Sequence, residues 1–228
     1  MSKPAYLSLW LDAPLMSWGF SSRFQRRTTA LHPTRSGILG MICAAVGVDK
    51  GSDAERKLLA RMESVGMTLL TVRRQKADGQ ELLKIRRLED FHTVLNTRSA
   101  ENKIKKDAVI THRQYLMDAR FGVILAGDGA TLTEVSAGLQ NPRWGVWFGR
   151  KNCIPAAPGV INGVVPCRED AVAALERVAN RSVAGAALIE EVESFADGTD
   201  TLMDVPVNFK TREFKSRRIR QVPETTGD

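Results

Sequence analysis

Gly37, Gly40 and Ala44 recur at i, i+3 and i+7 along a segment that reads as a helix from about Thr34 to Val46. Residues at that spacing share one helix face. A face of two glycines and an alanine lets the helix pack closely on a sheet. The chain offers a sheet to meet it. Tyr6-Leu7-Ser8-Leu9-Trp10-Leu11 is an apolar run of strand length, apolar enough to lie centrally. Further strands are expected at 65–72 and 119–126, with helices at 54–62 and 131–139, the latter with Thr131 or Thr133 in its opening turn. A helix near 170–179 and a strand near 187–192 follow. Pro142 ends the 131–139 helix, and Trp144 to Phe148 reads as a short aromatic strand.

Strand–helix–strand, taken twice, is the order of a ferredoxin-like (RNA-recognition-motif) core of α+β class. Alternation of this kind also fits other arrangements of helices and strands.

The opening of the Thr34 helix carries chemistry as well as shape. A helix N-terminus leaves amide N–H groups unpaired and favours an anion. Thr34 or Ser36 can cap it, Gly37 permits close backbone approach, and Arg35 adds a planar cation. The preceding loop brings Arg23, Arg26 and Arg27, and no acidic residue falls between Asp12 and Asp49. This order of parts suits a phosphodiester backbone.

Charge elsewhere points the same way. With 33 lysines and arginines against 26 acidic residues, the 228-residue chain carries +7, which favours nucleic acid, an anionic surface or an acidic partner. Between Arg73 and Arg120 twelve basic residues outnumber seven acidic ones. The Asn96–Lys106 stretch is almost without apolar residues. That segment is expected to protrude as two short strands, 82–88 and 108–112, with a basic tip; an irregular solvated loop is the plainer alternative. A basic tail runs through Lys210, Arg212, Lys215, Arg217, Arg218 and Arg220. Trp10, Trp147 and Phe148 read as core. Trp18, between Ser17 and Gly19, reads as either a loop anchor or a stacking aromatic.

Several chemistries find no support. There is no Walker loop, G-x-G-x-x-G, H-E-x-x-H or G-x-S-x-G. Cys43, Cys153 and Cys167 are widely spaced, without a C-x-x-C pair or a histidine at zinc-ligand spacing. Neither a metal nor a cofactor is expected. No run reaches transmembrane length, and residues 1–12 lack signal-peptide order, so the expected location is the cytoplasm. His112, Arg113 and Tyr115 supply the groups for metal-independent RNA cleavage: a base, an acid and a cation. Ordinary structural roles account for each of them as well.

Leu15-Met16-Ser17-Trp18-Gly19 followed by Pro33-Thr34-Arg35-Ser36-Gly37-Ile38-Leu39-Gly40 resembles the N-terminal signature of the CasD-type subunits of type I-E CRISPR Cascade complexes. The likeness continues through Asp90–Leu95, Arg113–Ala119, Pro142-Arg143 to Cys153, Pro206 and Arg212-Glu213-Phe214, and so spans most of the chain. Asp12-Ala13 stands where many relatives carry a glycine.

The resemblance implies one RAMP-type domain over residues 1–228, with a β-hairpin thumb at about 75–113. It implies a non-catalytic subunit that caps the 5′ handle of the CRISPR RNA (crRNA). Such a subunit docks on the complex's backbone subunit and on its large PAM-reading subunit, and meets target DNA only through the complex. A related type I-C branch cleaves precursor RNA with tyrosine, lysine and histidine, which keeps His112 and Tyr115 in view.

Taken with the charge pattern, this gives a candidate RNA-binding set. Arg23, Arg26, Arg27 and Arg35 line a phosphate groove completed by amides near Ser36 and Gly37, beside Trp18. Arg150 and Lys151 form the opposite wall, and His92, Arg98 and Arg113 lie on the thumb. The remaining alternative is a scaffold whose basic surface meets acidic proteins without RNA.

Overall fold

A computed structural model of the chain describes residues 3–19, 25–75, 83–99, 101–104 and 107–225. In chain order the elements are β1 (Ala5–Asp12), β2 (Leu15–Met16), β3 (Arg26–Arg27), α1 (Arg35–Val46), α2 (Asp53–Glu63), β4 (Gly66–Thr71), β5 (Arg86–Val94), β6 (Val109–Met117) and β7 (Arg120–Gly127). They continue with α3 (Gly129–Gln140), α4 (Arg168–Ala179), β8 (Leu188–Glu191), β9 (Asp200–Asn208) and β10 (Glu213–Val222).

One sheet has the order β1-β7-β4-β8-β10-β9, antiparallel at every step. A smaller sheet runs β2-β6-β3, with β5 paired antiparallel to β6. Residues 159–165 return along the free edge of β1, where Tyr6 and Val165 exchange backbone bonds of 2.9 and 2.8 Å.

Alternation along β1 sets the layers. Leu7, Leu9 and Leu11 enter the main core with Ile38, Ile42, Phe121 and Val123, while Trp10 points to the opposite face with Ile124, Ala171 and Leu175 of α4. Helices therefore cover both faces of this part of the sheet. A Cβ on Gly40 would stand 3.6 Å from the Phe209 ring, just past the end of β9, an ordinary van der Waals distance; the close approach on α1 is at Gly37, where a Cβ would stand 2.8 Å from the Trp18 ring.

Four expectations change. The basic tail is the β9–β10 hairpin, whose positive charges alternate with the buried Arg217 and Ile219. Residues 144–148 form no strand, because Arg143 and Trp144 donate their backbone N–H groups to Ala45 and Ala44 at the end of α1, and Trp147 stands 36% exposed rather than in the core. Helix α3 starts at Gly129, two residues before the expected Thr131, because Asp128 caps it by accepting from the Thr131 amide at 2.9 Å. The β5–β6 hairpin is longer than the two short strands expected: it pairs from Arg86 opposite Met117 out to Val94 opposite Val109.

Candidate nucleic-acid interface

The N-terminus of α1 opens on a cleft of about 490 Å³ lined by residues from five parts of the chain. Its floor is local chemistry. Thr34 caps α1 by accepting the Gly37 amide at 3.2 Å. Gly37 lies flat on the Trp18 indole, and a Cβ there would stand 2.8 Å from the ring. Trp18 is 1% exposed; its amide donates to Thr29 Oγ1 at 2.8 Å and its carbonyl accepts from Ala30 at 2.7 Å. It anchors the loop against Phe148, so the stacking alternative for Trp18 is set aside.

One wall is the loop after Phe148. The Ser17 amide donates to the Phe148 carbonyl at 3.0 Å. Gly149 has φ +106°, and a Cβ there would fall 1.8 Å from the Ser17 carbonyl oxygen; only glycine fits that approach. The loop delivers Arg150, which stacks 4.5 Å from the Tyr115 ring centroid and donates to the Gln114 and Arg27 carbonyls, each at 2.9 Å. Lys151 is exposed beside it.

The other wall is the β9–β10 turn, which brings Phe209, Arg212 and Phe214 to the cleft. The Asn208 carboxamide oxygen accepts from the amides of Lys210 and Thr211 at 2.8 and 3.1 Å, and Arg212 sits in the left-handed region at φ 58°.

Among the described residues, three arginines from separate segments, Arg27, Arg150 and Arg212, thus line one cleft, and no carboxylate does. Arg27 and Arg212 are exposed and have no carboxylate partner among the described residues. Ser36 and Gly37 lie at the base, as the sequence predicts, but the Gly37 amide is already committed to its cap.

Arg35 does not belong to the cleft. It is 3% exposed, with both carboxylate oxygens of Glu191 on Nη1 at 2.5 and 2.6 Å and the Met62 and Val65 carbonyls on Nη2 at 2.6 and 2.8 Å. Its amide donates to Asp204 at 2.7 Å, so a protein carboxylate already occupies that end of the helix. Arg217 closes the network, binding Asp204 at 2.6 and 2.9 Å and Glu191 at 2.6 Å. A buried charge requires such partners. Arg35 is therefore a brace between α1, the α2–β4 corner and three strands, not a phosphate ligand.

The remaining candidates scatter. Arg26 is exposed in β3, and its charge helps hold the Glu89 carboxyl below its ordinary range, after the larger effect of the Gln114 hydrogen bond. His92 lies 3.9 Å from Asp90, Arg98 donates to Asn102 at 2.9 Å, and Arg113 stands opposite Asp90; all three sit on the hairpin, outside the cleft lining. Arg23 lies outside the described residues.

The cleavage constellation does not assemble. His112 and Tyr115 are an odd number of residues apart on β6 and so face opposite sides. His112 pairs with Glu89 at 3.1 Å, whereas Tyr115 is buried and its hydroxyl accepts from Asn152 at 3.1 Å.

Sequence reading missed Phe209, Phe214 and Arg212 as cleft residues. The signal was present in Asn208, a turn former placed four residues before Arg212.

Comparisons with known proteins agree with this architecture. Residues 6–222 match a family described as CRISPR-associated protein (Cas_Cas5). The chain is 34% identical over 159 residues to the CRISPR system Cascade subunit CasD of Escherichia coli (strain K12), a match covering 65% of this chain and 66% of that protein. A chain in a solved CRISPR RNA-guided surveillance complex superposes with a TM-score of 0.73 at 28% identity, covering 96% of this chain and 90% of that one. A crystal structure titled only as a Cas protein gives 0.64 at 27% identity, covering 96% and 98%.

Proposed function

Because the chain belongs to the CRISPR-associated Cas5 family, we propose that it is a non-catalytic subunit of a Cascade-type, RNA-guided complex that caps the 5′ handle of the crRNA. The observation that carries this reading is the cleft itself: arginines from three separate segments line it, with aromatic residues beside them and no acid among the described residues. Arginines neutralise phosphates and rings stack on splayed bases, the usual means of holding single-stranded RNA.

Arg27 and Arg212 take phosphates from opposite walls. Arg150, held flat on Tyr115 and tied to two carbonyls, presents a fixed positive edge between them. The Ser36 hydroxyl lies at the base. A fixed set of cations positions the strand without reading its sequence, which is left to guide pairing.

We read the whole chain as one RAMP-type domain. Strands β1, β7 and β4, flanked by α1 and α3 and edged by 159–165, support a ferredoxin-like core. The β5–β6 hairpin is the thumb, set against the first guide nucleotides, with His92, Arg98 and Arg113 along it. The chain docks on a backbone subunit and on the large PAM-reading subunit, and meets target DNA through them.

Incubating the purified protein with labelled repeat RNA in excess chelator tests this reading on paired native and denaturing gels. The expected result is a shifted, intact RNA. A discrete metal-independent cut within the repeat would replace capping with processing, and an absent shift would favour the RNA-independent scaffold.

A further inference from the structure

Two hollows of about 490 and 400 Å³ share Leu31, His32 and Gln221 and so form one groove. It runs along the end of β8 and β10 near the N-terminus of α1, where Leu188 and Val222 face one side of the large sheet and Ile189 and Gln221 the other. Ile189 and Gln221, paired across β8 and β10, share their face with Glu191 and Arg217 of the buried network. The walls are aliphatic: Leu31 and Met203 stand 51% and 69% exposed, with Ile85, Leu188 and Val222 beside them. Among the described residues, no phenylalanine, tyrosine or tryptophan lines either hollow. Lys84 and Arg87 on the rim are exposed and have no carboxylate partner among the described residues.

This chemistry is unlike that of the RNA cleft. RNA bases call for flat rings, and this groove offers branched and thioether side chains instead. Exposed aliphatic surface that sinks into a groove beneath a charged rim matches a protein surface. Asp204 is spent on the buried network and Asp200 lines the Arg87 hollow, so two exposed cations stand against one exposed carboxylate and the rim's complement is on balance acidic.

We infer that the groove seats an aliphatic, acidic segment of a neighbouring protein subunit, with leucine- or isoleucine-type side chains in the hollows and carboxylates on Lys84 and Arg87. The inference rests on the reading of the chain as a subunit of an RNA-guided complex, and it adds a docking surface separate from the RNA cleft.

The test uses the complex purified from its native host through a tag on this chain. Two variants are compared with the unaltered chain, Leu31→Asp/Met203→Asp and Lys84→Glu/Arg87→Glu. Because these side chains are exposed, the fold should tolerate the changes. Each variant should lose one protein subunit by about tenfold or more, the scale of interface anchor residues. The isolated Leu31→Asp/Met203→Asp variant should still bind repeat RNA within about twofold, since both residues lie outside the cleft and the thumb. A photo-crosslinking residue at position 203 should then join a peptide of that subunit rich in leucine or isoleucine and acidic residues.

Unchanged subunit content, a crosslink to RNA, or an unaltered chain that carries no other subunit would each overturn the docking surface. Failure of the isolated, unaltered protein to bind repeat RNA would instead count against the capping function.

Discussion

Arg35 and Arg27 lie eight residues apart in one basic stretch and do different work. Arg35 is enclosed by Glu191, two carbonyls and the Asp204–Arg217 pair, whereas Arg27 reaches the cleft. Removing one member of a buried charge network costs about 3–5 kcal/mol, because the others are left buried and unpaired. Arg35→Ala should therefore lower the unfolding free energy by roughly that amount in a denaturant titration, while RNA affinity per folded molecule stays near that of the parent. A large affinity loss with unchanged stability would return Arg35 to the RNA. Sequence could not settle this, because the acidic partners lie 156 and 169 residues away. The Thr34 cap was legible for the opposite reason: donor and acceptor are three residues apart.

Among the elements, the loop after Phe148 sets how close its wall of the cleft stands to the floor around Trp18. Its backbone passes against Ser17 only because residue 149 has no Cβ. Gly149→Ala at that positive φ should destabilise the protein by more than about 1 kcal/mol. It should also weaken RNA binding although every cleft arginine is retained, because Arg150 and the Trp18 loop would move apart. A circular-dichroism melt beside a binding titration checks both effects; an unchanged affinity would mean that the loop does not shape the site. Strands β1, β4 and β7 and helices α1, α2 and α3 could be read from the sequence because each is a continuous segment of apolar or helix-forming residues, whereas β2 and β3 are two residues long and carry no such signal. The β9–β10 hairpin could not, because its strand signal is diluted by outward-facing charge and its buried Arg217 looks like another surface cation. That misreading hid the Arg212 wall of the cleft.

For the molecule as a whole, the buried network and the cleft meet at α1, and this predicts how stability responds to acid. Burial holds the His32 imidazole below its ordinary 6.5, with Arg217 adding to the effect and the Pro33 carbonyl and Asp204 opposing it. The unfolded chain therefore takes up this proton at a higher pH than the folded one, so folding is favoured fully above pH 6.5 and progressively less as the pH falls below it. His32→Gln should flatten that part of the stability profile in melts between pH 7.5 and 5; an unchanged profile would assign the acid sensitivity to other groups.

The central claim is that the cleft binds RNA through phosphate neutralisation by arginines from separate walls. The most direct measurement is the salt dependence of repeat-RNA affinity for the unaltered protein and for Arg27→Ala/Arg212→Ala. Each phosphate contact on a single strand contributes about −0.7 to the slope of log affinity against log salt. The account predicts weaker binding by the double variant, a slope shallower by about 1.4 for the two lost contacts, and an unchanged melting temperature. Equal slopes and equal affinities in the two proteins would contradict it and place the RNA elsewhere on the molecule.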